Sequence, residues 1–337
     1  MRYSDRQPGG ARSFPNKAPR EATPRAHLLA ILNVTFPFFA LVLCGYLAAR
    51  GRRLPLAAVG PLNSFVLYFA LPALLFRFVA NAPFRQIANF PIFAAYGIAG
   101  LLVFALSAVV LRRFNRDNWL DTAFGSLAAS WANWGYMGFA LIPAILGEKA
   151  IGALVSAGIA DLVLIVSAAL AIASREGREG EHWTTAVKGA LQGIGRNPLI
   201  WAIVAGMFAS AFAIRLPFAI DEFLRLLATA AGPVALFAIG LSLYMPGPVQ
   251  IAPVTLPLVL IKLAVHPLLA WAVATWVLRL DADEAGALML MAALPAAGTA
   301  FLFAERQQAD ADRIAAIIMV STALAFGSFS MFAALVR

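Results

Sequence analysis

Residues 130–138 read Ser130-Trp131-Ala132-Asn133-Trp134-Gly135-Tyr136-Met137-Gly138, in the middle of a mostly apolar run from Trp119 to Gly147. A run of that length can cross a bilayer, which takes about 20 apolar residues. An Asn and two Gly at mid-depth weaken the helix there and let other backbone come close. A second run, Ala285–Ala304, carries Leu294-Pro295-Ala296-Ala297-Gly298-Thr299 at the equivalent depth. Pro295 removes one helix hydrogen bond and frees a carbonyl. Lipid satisfies no freed backbone group, so such a break is tolerated only where it lines a cavity or binds something. A kink or close helix packing explains either break alone. Two breaks at matching places point to a transport site built at the breaks.

The rest of the chain has the composition this reading needs. Of 337 residues, 61% are hydrophobic and 13% charged, and mean hydropathy is +0.80. A soluble domain carries about 25% charged residues, so this chain expects lipid around much of its surface. Ten spans emerge, at about 29–49, 60–78, 90–111, 119–147, 150–173, 197–214, 223–244, 254–278, 285–304 and 313–336. The runs are too long for barrel strands and lack alternation. A polar stretch at 174–196 divides them into five and five, repeat 1 at 29–173 and repeat 2 at 197–337. Helix breakers recur between the halves. Pro72 and Pro233 are 161 apart, Asp121 and Asp283 are 162 apart, and so are Asn133 and Pro295. Five is odd, so the second repeat enters from the opposite side and the repeat is inverted. The expected fold is all-α integral membrane, with ten transmembrane helices in two inverted five-helix repeats.

Charge sets the orientation and the compartment. Residues 1–28 hold six Lys or Arg, four Pro and two Gly without an apolar period, and they read as a disordered basic tail. The loops after spans 1, 3, 5, 7 and 9 hold twelve Lys or Arg; the opposite face holds seven, or thirteen with the tail. Weighting the dense short loops, the positive-inside rule places both termini outside and the 174–196 loop in the cytoplasm. The tail argues the other way. The net charge of +9 sits in loops and tail, which fits anionic headgroups and not a nucleic-acid partner. The expected location is the inner cell membrane, multi-pass. The single cysteine, Cys44, permits no intrachain disulfide, and no metal-ligand or phosphate-cradling motif appears, so no metal or cofactor is expected.

Four side chains inside spans carry chemistry. Asn133 offers an amide that donates to a carboxylate without the desolvation cost of a full charge; its plainer role is an interhelical hydrogen bond. Asp161 lies in the middle of span 5. Lys262 and His266 lie four apart on one face of span 8. Charges at that depth face a partner or an aqueous path, which makes these three candidates for ion coupling. A structural Asp–Lys pair and a packing histidine are the plainer alternatives.

These stretches resemble the auxin efflux carrier family, which includes bacterial malonate-type carriers. The similarity runs from Ile31 to the C-terminus, through Ile31 to Leu47, Leu62 to Phe76, Asn133 to Gly138, Lys262 to Pro267 and Leu294 to Arg306. It implies an inverted-repeat fold similar to sodium/bile-acid symporters. In that fold spans 1, 2, 6 and 7 form a scaffold that also dimerises, giving a homodimer through spans 2 and 7. Spans 3–5 and 8–10 form a moving domain, and spans 4 and 9 cross at their breaks, where a carboxylate binds. Carried onto this chain, the substrate residues are Asn133, Gly135, Tyr136, Gly138, Pro295, Gly298 and Thr299, with Asn63 and Tyr68 on the scaffold side. The chain departs from the family in placing Ala140 where a proline is common, and Gly298 and Thr299 where an Asn is common; auxin itself is not implied.

The function expected is secondary transport of small organic anions by alternating access. A cation/proton antiporter or sodium-coupled symporter on the same fold is the alternative, with Asp161 as carrier group; the neutral crossover favours the anion. A membrane-embedded receptor is more remote. An enzyme is not expected, since no paired carboxylates or nucleophile–base arrangement is present.

Overall fold

A computed structural model describes residues 24–81, 89–115, 118–176, 198–244 and 251–336. Among them the chain is helical, with no strand beyond one isolated bridge. The helices are α1 (Pro24–Arg50), α2 (Leu56–Asn81), α3 (Phe90–Arg113), α4 (Trp119–Ser130), α5 (Trp134–Leu146), α6 (Glu148–Ala173), α7 (Pro198–Ala211), α8 (Phe218–Ser242), α9 (Thr255–Val277), α10 (Ala282–Ala293), α11 (Thr299–Arg306) and α12 (Ala311–Val336). α1 begins at Pro24, ahead of the boundary near Leu29 read from the sequence. The remainder of the expected tail, 1–23, and the loop from 177 to 196 lie outside the described residues.

Among the described residues, six helices are long and apolar enough to cross a membrane: α2, α3, α6, α8, α9 and α12. The ten expected spans are not all recovered by length. Spans 4 and 9 are each split into two half-helices, span 6 shortens to the 14 residues of α7, and the apolar part counted for α1 is Thr35–Arg50.

Local chemistry sets the helix ends. Asn89 accepts from the Ile92 N–H at the start of α3, Asn118 from the Asp121 N–H at the start of α4, and Asp281 from the Glu284 N–H at the start of α10. Each side chain satisfies one of the amides a helix start leaves unpaired. α5 stops at Gly147, whose φ of +81° suits glycine.

The helices pack as two groups. α1 lies along α8, and α2 lies against both α7 and α8. At the α1–α8 crossing a Cβ on Gly45 would fall on the Phe237 carbonyl, and one on Gly240 would fall on the Val42 carbonyl. The two backbones therefore touch, as small residues allow in membranes. The second group gathers α3, α4 and α6 with α9, α10 and α12. α5 sits between the groups, touching α1 and α8. One contact fastens each broken helix to the far loop. The Asp121 carboxylate, at the start of α4, accepts from the Asp310 N–H before α12 at 2.7 Å. Asp283, at the start of α10, pairs with Lys149 at the start of α6.

Candidate functional site

Both breaks are local and both have a chemical cause. α4 ends at Ser130, the chain is extended at Trp131 (φ −82°, ψ 117°), Asn133 turns it (φ −77°, ψ 52°), and helix resumes at Trp134. α10 ends at Ala293, Leu294 is extended (φ −62°, ψ 151°), and helix resumes at Thr299. Pro295 has no N–H to continue α10. The two extended pieces pair antiparallel at Ala132 and Ala296. Asn133 N–H donates to the Pro295 carbonyl at 2.9 Å, and Ala297 N–H donates to the Trp131 carbonyl at 3.0 Å. Ala296 N–H donates to Ser321 Oγ on α12 at 3.1 Å. Freed backbone groups of one break thus satisfy those of the other, which is how irregular backbone survives at membrane depth.

The half-helices α5 and α11 start at this crossing. The first amides of a helix have no partner within it, and that end carries partial positive charge. A Cβ on Gly135 or on Gly298 would meet nothing within 4 Å, so there is room at both starts. Asn133, 3% exposed, holds its side-chain Oδ1 buried without a partner. Beside the α5 start lies a cavity of about 180 Å³. Tyr136, Phe139 and Ala140 line it from α5; Phe38, Leu71, Thr229 and Gly232 face them from α1, α2 and α8. Its walls carry no charged side chain.

Asp161, Lys262 and His266 are all fully buried. Lys262 Nζ donates to the Ala292 carbonyl at 2.8 Å and lies 3.1 Å from His266 Nδ1. Asp161 stands within electrostatic range of Lys262 and beside the Ala132 N–H; that amide falls short of bonding geometry, because neither carboxylate oxygen has a hydrogen-bond partner. Tyr96 of α3, also fully buried, faces the same group: its ring lies 5.5 Å from that of His266, and it senses the Asp161 charge. Asp161 opens one π-helical turn and Lys262 lies in another, a distortion frequent at functional sites.

The structure brings Asn133, Gly135, Pro295, Gly298 and Thr299 to the crossing, and Tyr136 to the cavity wall. Gly138 packs beneath it, with Leu294, Trp134 and Leu154 around its Cβ position. Tyr68 goes elsewhere. It is 58% exposed and lines an apolar groove of about 500 Å³ with Phe69, Phe76, Phe223 and Leu227, sharing no residue with the cavity beside α5. Asn63 is half-buried and lines neither space. Sequence reading missed Tyr96, Phe38 and Thr229. Among the described residues no group of three or more His, Cys, Asp or Glu could hold a metal.

Residues 30–333 match the family described as membrane transport protein. The chain belongs to this family, that of the auxin efflux carriers. It is 27% identical over 308 residues to a protein of Rhizobium meliloti (strain 1021) named "Putative malonate transporter", covering 91% of this chain and 96% of that protein. It is 24% identical over 216 residues to "Uncharacterized transporter YfdV" of Escherichia coli (strain K12), covering 61% of this chain and 67% of that protein; the Shigella flexneri protein of the same name matches to the same extent. Family membership and the apolar helices together make this a multi-pass membrane transport protein. As a member of the auxin efflux carriers, it carries the family match through both breaks and all three buried ionisable residues.

Proposed function

We propose that this protein is a secondary transporter of small organic anions, carboxylates, and that it works by alternating access with substrate held where the two broken helices cross. One observation carries this reading: two half-helix N-termini start at one crossing, each with open space at its glycine, beside the buried side chain of Asn133, whose Nδ2 can donate to a carboxylate. Helix N-termini favour anions by about 0.3–1 kcal/mol each, and by up to about 2 when partly buried. Two such ends and an amide hold a carboxylate without a fixed cationic side chain, so release breaks no ion pair. The two extended pieces themselves contain no acidic residue; the Asp161 carboxylate that reaches the Ala132 amide from α6 is opposed there by the Lys262 charge. Malonate, named for the Rhizobium relative, falls within the proposed substrate class.

The architecture we propose follows. α4 with α5, and α10 with α11, are each one broken span, which makes ten spans in two inverted repeats, 29–173 and 197–337. The caps at Asn118 and Asp281 and the fasteners at Asp121 and Asp283 recur at corresponding places of the two repeats, in support. α1, α2, α7 and α8 serve as scaffold and dimerise through α2 and α8. The remaining helices move. The protein sits in the inner membrane, with the 174–196 loop cytoplasmic.

A thermal-shift screen of the purified protein against mono- and dicarboxylates, malonate among them, tests the substrate class. At least one small carboxylate should raise Tm in a concentration-dependent way. Stabilisation by metal cations with none by any carboxylate would overturn the reading.

A further inference from the structure

We propose that Asp161, Lys262, His266 and Tyr96 form a proton site that sets the state of the crossing, so that transport is proton-coupled. This rests on the transporter reading above and names its coupling ion.

The first argument is geometric. A structural ion pair closes into contact and satisfies its hydrogen bonds. Here Asp161 and Lys262 attract one another across the core, yet no ion contact forms between them within 4.0 Å. Both Asp161 oxygens, the Tyr96 hydroxyl and His266 Nε2 are buried without hydrogen-bond partners. An ammonium has only donors, so His266 accepts at Nδ1 from Lys262, and its Nε2 carries the remaining N–H. Of these open groups the Asp161 oxygens are acceptors with no donor, and they are where a proton can add.

The second argument is position. Lys262 donates to the Ala292 carbonyl, one residue before α10 ends. That is the negative end of the half-helix, where a cation is favoured. Asp161 lies beside the Ala132 N–H, within the other break. The pair therefore reaches the backbones of both broken helices, Lys262 by a hydrogen bond and Asp161 by the charge it places beside the Ala132 amide. When Asp161 takes a proton from water on the open side, an O–H bond forms and the carboxylate loses its charge. Lys262 then loses its attraction to Asp161 and keeps the Ala292 carbonyl and His266 Nδ1 beside its Nζ, and the Ala132 amide loses the charge beside it.

The third argument is charge. With Lys262 as an ammonium, the empty pair sums to zero and the protonated pair to plus one. A bound monocarboxylate adds minus one, so proton and anion together cross as a neutral load, and buried net charge is what the bilayer penalises. A metal cation would have to share the site with the Lys262 ammonium, whereas a proton goes onto the carboxylate and leaves that ammonium in place. Other charges are remote. α6 has no further charged residue from Ile151 to Ala173, and α3 has none from Phe90 to Leu111. Asp121 of α4 and Asp283 and Glu284 of α10 lie in the first turns of their helices, away from the breaks.

The test needs no substrate. Among the described residues Asp161 is the one fully buried carboxyl, so infrared difference spectroscopy of the reconstituted protein can follow it directly, with Asp161→Asn as the control. In parallel, thiol labelling of Ala140→Cys in a Cys44→Ser background reads the opening of the cavity beside α5. As pH falls from about 9 to about 5, a range spanning ordinary side-chain titrations, a protonated-carboxyl band should appear and the labelling rate should change with the same midpoint. Asp161→Asn should lose the band and label at one rate throughout. A carboxyl that never protonates, or a labelling rate that ignores its titration, would overturn the proposal. Should Asp161→Asn fail to fold, the two wild-type-Asp161 titrations still decide it. The crossing as substrate site stands or falls separately, on ligand binding.

Discussion

The backbone N–H of Asn133 donates to the carbonyl of Pro295 at 2.9 Å, which joins the middle of one broken helix to the middle of the other. With the return bond from Ala297 to Trp131, it makes the crossing a short two-stranded patch inside a helical protein. Neither half-helix can shift alone without unpairing buried backbone, which is costly in hydrocarbon. The two breaks therefore move together.

Asn133→Ala should weaken carboxylate binding by about 1–3 kcal/mol, the range for losing a hydrogen bond to a charged group. The fold should survive, since the pairing bond uses the Asn133 backbone and not its side chain. Binding isotherms of the two proteins for the carboxylate that gives the largest thermal shift check this. An unchanged affinity would remove the Asn133 side chain from the site.

Gly135→Ala should leave Tm near the wild-type value or raise it slightly, because the added methyl enters open space and Ala is favoured over Gly in helices by about 0.5–1 kcal/mol; the methyl of Gly298→Ala also enters open space, but at the N-cap of α11 Ala is less favoured than Gly, so Tm should fall slightly. Binding should fall in both, since that space is where the anion sits. A loss of both stability and binding in Gly135→Ala would mean the space is needed by the fold.

Gly45→Ala and Gly240→Ala should do the reverse. Each methyl would strike a carbonyl of the opposing backbone, and overpacking costs about 1–3 kcal/mol. Lower Tm and lower monodisperse yield are expected for either. The double variant should cost less than the sum, because both act on one crossing.

The two fasteners should differ in strength. Asp121→Ala removes a carboxylate from the Asp310 N–H and should cost about 1 kcal/mol, like loss of a helix cap. Lys149→Ala breaks a pair whose side chains are 64% and 70% exposed, and such pairs contribute about 0–1 kcal/mol and fade with salt. Denaturation at low and high ionic strength separates them: salt should narrow the Lys149→Ala effect and leave the Asp121→Ala effect unchanged.

How far the sequence reveals this architecture depends on the residue. Asn133 and Pro295 are legible because a helix breaker in an apolar run has few other uses. That the breaks cross is a long-range fact, and only the family resemblance foretells it. Asp161, Lys262 and His266 stand out because charge at membrane depth is rare. Tyr96 does not, since one aromatic in the run from Phe90 to Leu111 looks like packing until a ring and a carboxylate are placed beside it. Gly45 and Gly240 are equally silent: nothing local marks which of 25 glycines meets another backbone. Tyr68 shows the limit of carrying a role by position along a helix. Its neighbour Leu71 turns toward the cavity, while Tyr68 itself faces the outer groove.

Orientation follows from labelling. In a Cys44→Ser background, needed because Cys44 is exposed, Gly180→Cys should resist an impermeant thiol reagent in intact cells and react after lysis. Reaction in intact cells would invert the assigned topology.

The central claim is that the carboxylate sits between the starts of α5 and α11. A structure determined with the carboxylate that most stabilises the wild type in the thermal screen tests it most directly. The account predicts ligand density against Asn133, Gly135 and Gly298, with its carboxylate facing both half-helix N-termini. Density confined to the outer groove at Tyr68, or anywhere clear of both breaks, would contradict it.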